Sequence, residues 1–143
     1  VISHINDALT KGAKLLYGGD RIRRIGYFMN PGVLVDVNHN MKIMKEETFG
    51  PITCIMKFSN IEEAIKLAND SEYGLTASVW TKDIEKGEEI ARKIQAGTVE
   101  INRHGMSKPG CPWGGYKLSG IGRIYSQDGI REFTNIKHIW TVK

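Results

Sequence analysis

The sequence predicts an α/β fold in which strands and helices alternate along the chain and the sheet is largely parallel. The first observation behind this prediction is the order strand, helix, strand, helix, strand between residues 52 and 101. The second is that the connections between these elements are short, which favours right-handed crossovers with helices packed against a parallel sheet. The third is that both helices place their apolar residues on a single stripe, as helices that cover a sheet do.

Apolar periodicity and turn residues predict the elements in chain order. Strands are predicted at residues 13–17, 33–37, 52–57, 75–80, 98–101 and 136–142, and helices at residues 1–11, 59–68, 81–94 and 126–133. Two other segments are less regular. Residues 21–25 fit either an exposed strand or a loop, and residues 102–111 form a long polar loop.

Particular residues predict where these elements end. Gly12 ends the first helix. Ser59, with Glu62 three residues later, forms a capping box that opens the second helix. Gly97 suits the left-handed position just past the end of the third helix. The near-continuous apolar run of residues 52–57 predicts a strand that is covered on both faces.

Length and composition indicate a globular protein of one domain. The 143 residues are 41% hydrophobic, and no apolar run approaches the ~20 residues that span a bilayer. No signal peptide is visible, and a start at Val1 without a Met predicts a piece of a longer protein.

Cys54 and Cys111 form no CxxC pair, which favours a reducing, cytoplasmic setting. The net charge of +4 is spread along the chain, which disfavours nucleic-acid binding, and the histidines lack metal-ligand spacing, so no metal site is predicted.

A glycine-rich segment, residues 112–123, invites comparison with nucleotide-binding loops. A phosphate-binding P-loop requires Gly-Lys followed by Ser or Thr, but Ile121 follows Gly120. The pair Gly120 and Gly122 also lacks the third glycine of a dinucleotide fingerprint. The residues themselves therefore predict only tight turns that let backbones approach closely.

Residues 45–51 are the segment around which a site is predicted. They contain two carboxylates, an aromatic ring and a Gly-Pro pair, directly before the strand at residues 52–57. Pro51 fixes its own φ and biases Gly50 away from the helical region. Such a turn can hold a carboxylate and an aromatic ring at a set distance at the edge of a sheet, where ligands tend to bind. The alternative is a corner between a helix and a strand with solvated glutamates.

Several separated motifs resemble those of the NAD(P)-dependent aldehyde dehydrogenase family. Residues 46–51 match its Glu-Glu-x-Phe-Gly-Pro pattern, and residues 112–123 match its closing Pro-Trp-Gly-Gly-x-Lys-x-Ser-Gly-x-Gly-Arg segment. Residues 12–19, 73–77 and 97–102 match further motifs in the order found in the family. The resemblance therefore covers nearly the whole chain.

The resemblance implies that residues 1–143 are the C-terminal part of the family's catalytic domain and that residues 136–142 are a strand that joins a neighbouring subunit. In the family, a cysteine thiolate attacks the aldehyde, hydride passes to NAD or NADP, and water releases the carboxylic acid. The nucleophile, the general-base glutamate and the cofactor domain lie upstream of this segment. We therefore expect no catalytic residue here, with neither Cys54 nor Cys111 as nucleophile. We also expect no activity and no bound cofactor from this chain alone.

The same resemblance implies two cofactor contacts. Glu47 corresponds to the glutamate that hydrogen-bonds the nicotinamide ribose, and Phe49 corresponds to the phenylalanine that packs beside the nicotinamide ring. A surface carboxylate and a core aromatic residue are the alternatives for these two positions.

The aldehyde pocket is implied less specifically. In the family, it is lined by the loop after an asparagine and by the aromatic residue before Gly-Gly, here residues 103–107, with Arg103 and His104, and Trp113. Trp113 would stack on a cationic aldehyde of the betaine-aldehyde kind, whereas Arg103, His104 and Lys108 would suit an anionic one. Plain packing is a third interpretation of Trp113, and the three remain open.

The chain also departs from the family pattern. Ile124 and Ser126 stand where a Glu and a Gly are usual, which puts a local ion pair and turn in doubt, and Gly32 replaces a common Thr. An alternative function is a non-catalytic, truncated relative that acts as an oligomerisation or interaction module. Under either function we expect a homo-oligomer formed through the terminal strand and no membrane partner. An aldehyde is expected as the substrate of the intact enzyme.

Overall fold

The computed structural model describes residues 1–105 and 108–142 and has a mixed α/β fold. Its internal contacts divide the chain into two compact units, Val1–Ala64 and Ile65–Lys143. Within the described ranges, no helix is long and apolar enough to cross a membrane. The α/β class predicted from the sequence is confirmed.

The described helices are α1 (Ile2–Thr10), α2 (Ile61–Asn69), α3 (Ile84–Ala91) and α4 (Ser126–Arg131), with a 3-10 helix at Lys42–Met44. The described strands are β1 (Lys14–Tyr17), β2 (Gly32–Val35), β3 (Ile52–Ile55), β4 (Tyr73–Gly74), β5 (Thr76–Val79), β6 (Thr98–Ile101) and β7 (Tyr116–Lys117). Every predicted element except the last strand overlaps an observed element.

In the first unit, a three-stranded sheet in the order β1-β2-β3 supports the core. The middle strand, β2, pairs antiparallel with β1 and parallel with β3, and Gly32 lies opposite Ile52. The helix α1 contacts both β1 and the 3-10 helix. Leu34, in the middle strand, is fully buried. The buried hydrophobic cluster consists of Ile5, Ala8, Ala13, Leu34, Val37, Met41 and Ile43.

In the second unit, α3 connects two paired parallel strands. Thr76 of β5 lies opposite Thr98 of β6, and α3 contacts both strands. The side chain of Asp83 accepts a hydrogen bond from the backbone N–H of Lys86 and so caps the start of α3. This strand-helix-strand crossover is the one that the sequence predicts. The strands β4 and β7 form a separate, short antiparallel pair.

The prediction of one largely parallel sheet is wrong, because β3 pairs with β2 while β5 pairs with β6. The helix α2 therefore does not join two paired strands. Local sequence shows which segments are extended, but the partner of each strand depends on residues that are distant in the chain. The burial of β3 also differs from the prediction, since Thr53 and Ile55 are exposed while Ile52 and Cys54 are half-buried. Its apolar run does not make it a strand that is covered on both faces in this chain.

The cap of α2 is shifted by one residue from its predicted place. Asn60, rather than Ser59, provides the capping side chain, which accepts a hydrogen bond from the N–H of Glu63 at 2.8 Å. The carboxylate of Glu63, rather than that of Glu62, reaches back to the N–H of Ser59 at 2.7 Å. The reciprocal bonding of a capping box is thus present with different partners.

Gly97 has a role other than the predicted one. Its φ lies outside the left-handed region, so it is not a left-handed helix cap. Instead, a Cβ atom at this position would lie 1.8 Å from the backbone oxygen of Gly114. Glycine is therefore required at residue 97 because two backbone segments approach too closely for a side chain.

Residues 136–142, which are predicted to be a strand, form no strand in this chain. A strand requires a hydrogen-bonded neighbour, and no described segment pairs with these residues. Ile136 and Trp140 are 99% and 77% exposed. The alternating pattern is therefore present in the sequence without a partner strand among residues 1–105 and 108–142.

Candidate functional site

The turn at residues 45–51 follows the 3-10 helix and leads directly into β3. The N–H of Glu46 donates to the backbone oxygen of Lys42 at 2.7 Å, which anchors the start of the turn to the 3-10 helix. Glu47 and Phe49 are both exposed, and 90% of the surface of Phe49 is accessible. Phe49 is therefore not a core residue of this chain.

The backbone of the turn is strained at Phe49. Its φ is +47°, in the left-handed region, which costs about 1–2 kcal/mol for an L-residue with a side chain. Such conformations persist where the surrounding structure imposes them, and they concentrate at functional sites. The next residue, Gly50, lies close to Val1, because a Cβ added at Gly50 would be 2.4 Å from a methyl group of Val1. The turn is thus pressed closely against the start of α1.

Phe49 also lines an open cleft of about 540 Å³ in the first unit. The lining residues are mostly apolar or aromatic: Val1, Ile2, Ser3, Arg21, Tyr27, Phe28, Met29, Phe49, Gly50 and Pro51. The guanidinium of Arg24 lies 3.4 Å from the centre of the Phe28 ring, which holds that aromatic wall by a cation–π contact. The cleft offers apolar surface on which a flat ring can rest.

Helix α1 holds the turn through His4. Its Nε2 lies 3.2 Å from a carboxylate oxygen of Glu46, and its Nδ1 lies 3.1 Å from the hydroxyl oxygen of Thr48. The contact with Thr48 is a side-chain hydrogen bond, and the contact with Glu46 is a close approach of the ring nitrogen to a carboxylate oxygen. The side chain of His4 is 13% exposed and that of Glu46 is 57% exposed. Both neighbours of Glu47 in the chain are therefore tied to α1.

A second group of contacts fastens α1 to the loop before the turn. The carboxylate of Asp7 accepts a hydrogen bond from the N–H of Lys42 at 2.9 Å and pairs with Lys11 at 2.9 Å. Lys11 also donates to the backbone oxygen of Asn40 at 2.6 Å. The hydrogen bond from Lys11, and then that from the Lys42 N–H, lowers the pKa of Asp7 from its usual 3.8. The carboxylate is thus stabilised in its charged form where it holds the loop.

In the second unit, His104 and Trp113 line the same cleft of about 380 Å³. The lining residues are Leu75, Thr76, Thr98, Glu100, His104, Gly105 and Trp113. The structure therefore brings together two of the three residues that were predicted for the aldehyde pocket. Two other members of that predicted loop, Met106 and Ser107, lie outside the described residues.

Glu100 is a lining residue that sequence reasoning missed. Its carboxylate accepts a hydrogen bond from the N–H of Gly105 at 2.6 Å and lies 3.4 Å from Nε of Arg103. Arg103 is not itself a lining residue, and its charge is paired with the lining carboxylate of Glu100, which weakens the indication of an anionic aldehyde. The sequence contains a signal for Glu100, since a carboxylate between Val99 and Ile101 in a strand faces the opposite side of the sheet from them.

Comparison with known proteins decides the family. The sequence profile of the aldehyde dehydrogenase family matches residues 1–139. The chain belongs to the aldehyde dehydrogenase family. An aldehyde dehydrogenase from Paenarthrobacter nicotinovorans is 47% identical over 137 residues, which cover 96% of this chain and 30% of that protein. The resemblance recognised from the separated motifs is confirmed.

Solved aldehyde dehydrogenase structures are similar over nearly the whole chain. A variant of the enzyme from Bacillus cereus superposes with a TM-score of 0.92 at 42% identity and covers 99% of this chain and 29% of its own. The enzyme from Mycobacterium tuberculosis, complexed with NAD⁺, gives a TM-score of 0.88 at 41% identity, with 99% and 30% coverage. This chain therefore spans less than a third of the length of these aldehyde dehydrogenases.

In this aldehyde dehydrogenase chain, Arg123 organises the glycine-rich segment at residues 112–123. Its guanidinium donates hydrogen bonds of 3.0 Å to the backbone oxygens of Gly115, Ile121 and Gly122. The predicted tight turns with closely approaching backbones are confirmed, and one arginine side chain joins them.

The structure shows the local environment of each residue that departs from the aldehyde dehydrogenase pattern. Ile124 pairs through its backbone with Trp113, by hydrogen bonds of 2.8 and 2.9 Å that do not depend on side-chain identity. Ser126, which replaces the usual glycine, has a φ of +59°, in the left-handed region that favours glycine over residues with a side chain. Gly32, which replaces a common Thr, lies so close to Gly19 that a Cβ would be 2.9 Å from its backbone.

The two cysteines of the aldehyde dehydrogenase chain differ in environment. Cys54 is half-buried on β3 and packs against the core of the first unit, and this burial raises the pKa of its thiol. A raised pKa lowers the fraction of reactive thiolate. Cys111 is exposed, and its N–H donates to the backbone oxygen of Lys108. That neither is the nucleophile stays a prediction.

Proposed function

We propose that this chain is the section of an NAD(P)-dependent aldehyde dehydrogenase that contacts the nicotinamide half of the cofactor. It also lines the entrance of the aldehyde pocket. The observation that carries the proposal is the exposure of Glu47 and Phe49 together on one short turn. An exposed carboxylate accepts hydrogen bonds from ribose hydroxyls. An exposed phenyl ring beside an apolar cleft offers a surface for the nicotinamide ring.

The chemistry of the turn fits either cofactor. NAD and NADP differ by a phosphate on the adenosine ribose, which is not the part of the cofactor assigned to this turn. When bound, the nicotinamide accepts a hydride from the substrate. The role of Glu47 is to hold the ribose, and the role of Phe49 is to orient the ring.

The second cleft is proposed as the wall of the aldehyde pocket. Trp113 and His104 line it with the carboxylate of Glu100, so it offers both an aromatic face and polar groups to a substrate. None of these residues is assigned to the nucleophile or to the general base. We therefore propose that this chain alone neither retains the cofactor nor oxidises aldehydes.

We also propose that residues 136–142 pair with another copy of the protein. Ile136 and Trp140 are exposed in an alternating segment that has no partner strand among the described residues, and such a segment adds readily to the edge of a sheet. Light scattering on the full-length protein tests this assembly. A single species with the mass of one chain would contradict it.

The function is tested with variants of the two turn residues in the full-length protein. Glu47→Gln replaces a charge-assisted hydrogen bond by a neutral one, so we expect the KM for the nicotinamide cofactor to rise roughly tenfold. Phe49→Ala removes the ring contact, and we expect kcat/KM to fall by roughly a factor of ten. Steady-state kinetics with an aldehyde and with NAD⁺ or NADP⁺ measures both.

The matched control is Glu62→Gln, an exposed glutamate at the start of α2. This variant is expected to keep the kinetic constants of the parent protein. If Glu47→Gln and Phe49→Ala behave like the control, the turn does not contact the cofactor. The 143-residue chain is expected to show no turnover, and turnover that thiol alkylation abolishes would assign the nucleophile to one of its own cysteines.

A further inference from the structure

We propose that His4 is a positioning residue for the nicotinamide cofactor, because it fixes the turn that presents Glu47 and Phe49. This inference rests on the proposed function of the turn and adds a residue from a different element, α1. It also gives that helix a part in cofactor binding.

The first support is that His4 uses both of its ring nitrogens on the turn. One nitrogen contacts Glu46 at 3.2 Å and the other contacts Thr48 at 3.1 Å, and the ring itself is largely buried. Two contacts to a rigid ring restrict the turn more than one contact would, since the turn cannot rotate about a single bond. The partners are 42 and 44 residues away in sequence, so these contacts hold the turn to α1 itself.

The second support is that the two adjacent glutamates differ in their side-chain contacts. The carboxylate of Glu46 is engaged by His4. The exposed side chain of Glu47 has no hydrogen bond or ion pair within residues 1–105 and 108–142. Since Glu46 and Thr48 are tied to α1 on either side of it, Glu47 is held by its neighbours while its own carboxylate stays available to a ligand.

The third support is the strained backbone that follows. Phe49 has a φ of +47° directly after Thr48, and a conformation of this kind persists only where its surroundings impose it. The bond from His4 to Thr48 and the packing of Val1 against Gly50 enclose Phe49 on both sides in sequence. Loss of the His4 contact should therefore loosen the presentation of both cofactor residues.

The test uses the full-length protein with NAD⁺ or NADP⁺, whichever binds more tightly, as the probe. We expect His4→Ala to raise the calorimetric Kd of the cofactor roughly five- to tenfold, the usual effect of losing a hydrogen bond of this kind. We also expect faster amide hydrogen exchange in residues 45–51 without cofactor. The control on the same helix is Asn6→Ala, whose side chain is exposed, and both readouts should stay at parental values.

Two conservative variants separate positioning from simple stability. An asparagine at residue 4 can place a polar atom where Nδ1 lies, and a glutamine can place one where Nε2 lies. His4→Asn should therefore restore the contact with Thr48, and His4→Gln the contact with Glu46, so each should recover part of the affinity. If His4→Ala does not fold, these two variants and Thr48→Val provide the comparison, with a raised Kd expected for Thr48→Val.

The outcomes separate this inference from the function on which it rests. If Glu47→Gln weakens cofactor binding while every His4 variant and Thr48→Val bind like the parent, the inference is wrong and the function stands. A lower melting temperature with an unchanged Kd would likewise make His4 a merely structural residue. If Glu47→Gln also leaves the Kd unchanged, the proposed function of the turn fails first.

Discussion

Asp7 is a charged residue of α1 whose carboxylate contacts the segment just before the candidate site. It joins α1 to the N–H of Lys42, a few residues before the turn at residues 45–51. Its pKa is lowered in the folded protein, chiefly by Lys11. A carboxylate with a depressed pKa contributes stability above its unfolded pKa, and this contribution is lost as the pH falls through the folded value.

Asp7→Asn is therefore expected to lower the stability of the protein at neutral pH. The difference between variant and parent should shrink as the pH falls below about 3.8, because the parent carboxyl then becomes protonated as well. Urea unfolding at a series of pH values measures it, with Glu62→Gln as the control for a surface carboxylate. A difference that stays constant from pH 7 to pH 3 would show that the charge of Asp7 does not hold the loop.

Glu47, Phe49, His104 and Trp113 were singled out from local motifs and the family resemblance. The structure places the last two in one cleft, and the roles of all four stay predictions. His4 was not foreseen, because its partner Thr48 lies 44 residues away in sequence. Contacts of that range depend on the tertiary arrangement, which a motif does not encode.

At the scale of elements, the close approach of Gly97 to Gly114 joins the start of β6 to the glycine-rich segment. Gly97→Ala would place a Cβ 1.8 Å from the backbone oxygen of Gly114. We expect this overpacking to cost about 1–3 kcal/mol of folding stability. Gly122→Ala is the matched control, because its Cβ would meet nothing within 4 Å, and we expect a change within about 0.5 kcal/mol.

Thermal or urea unfolding of the two glycine variants, measured side by side, gives the comparison. The larger loss is expected for Gly97→Ala, and kinetic constants at low temperature should change little. Equal stabilities would mean that the backbone at residue 97 relaxes freely. The close contact would then not affect the free energy of unfolding.

The elements themselves were largely predictable because their signals are local. The cap of α3 by Asp83 and the crossover from β5 to β6 follow from neighbouring residues. The pairing of β3 with β2 could not be predicted in the same way, because the partner of a strand depends on residues that are distant in the chain. The segment at 136–142 has the periodicity of a strand, but a strand also needs a neighbour, and this chain supplies none among its described residues.

At the scale of the whole molecule, large hydrophobic side chains are exposed in both units. Ala96 is the one hydrophobic residue of the second unit that is buried, within the part of that unit that the structure describes. Trp80 and Ile84 are exposed there. This aldehyde dehydrogenase chain spans about 30% of the relatives' length, and we expect the intact enzyme to cover part of this surface.

The central claim is that the turn at residues 45–51 presents Glu47 and Phe49 to the nicotinamide half of the cofactor. The most direct measurement is a structure of the full-length protein with NAD⁺ or NADP⁺ bound. We expect a carboxylate oxygen of Glu47 within about 2.6–3.2 Å of a hydroxyl of the nicotinamide ribose, with the Phe49 ring in contact with the nicotinamide. A nicotinamide half bound elsewhere, with Glu47 and Phe49 both beyond about 4.5 Å from it, would contradict the claim.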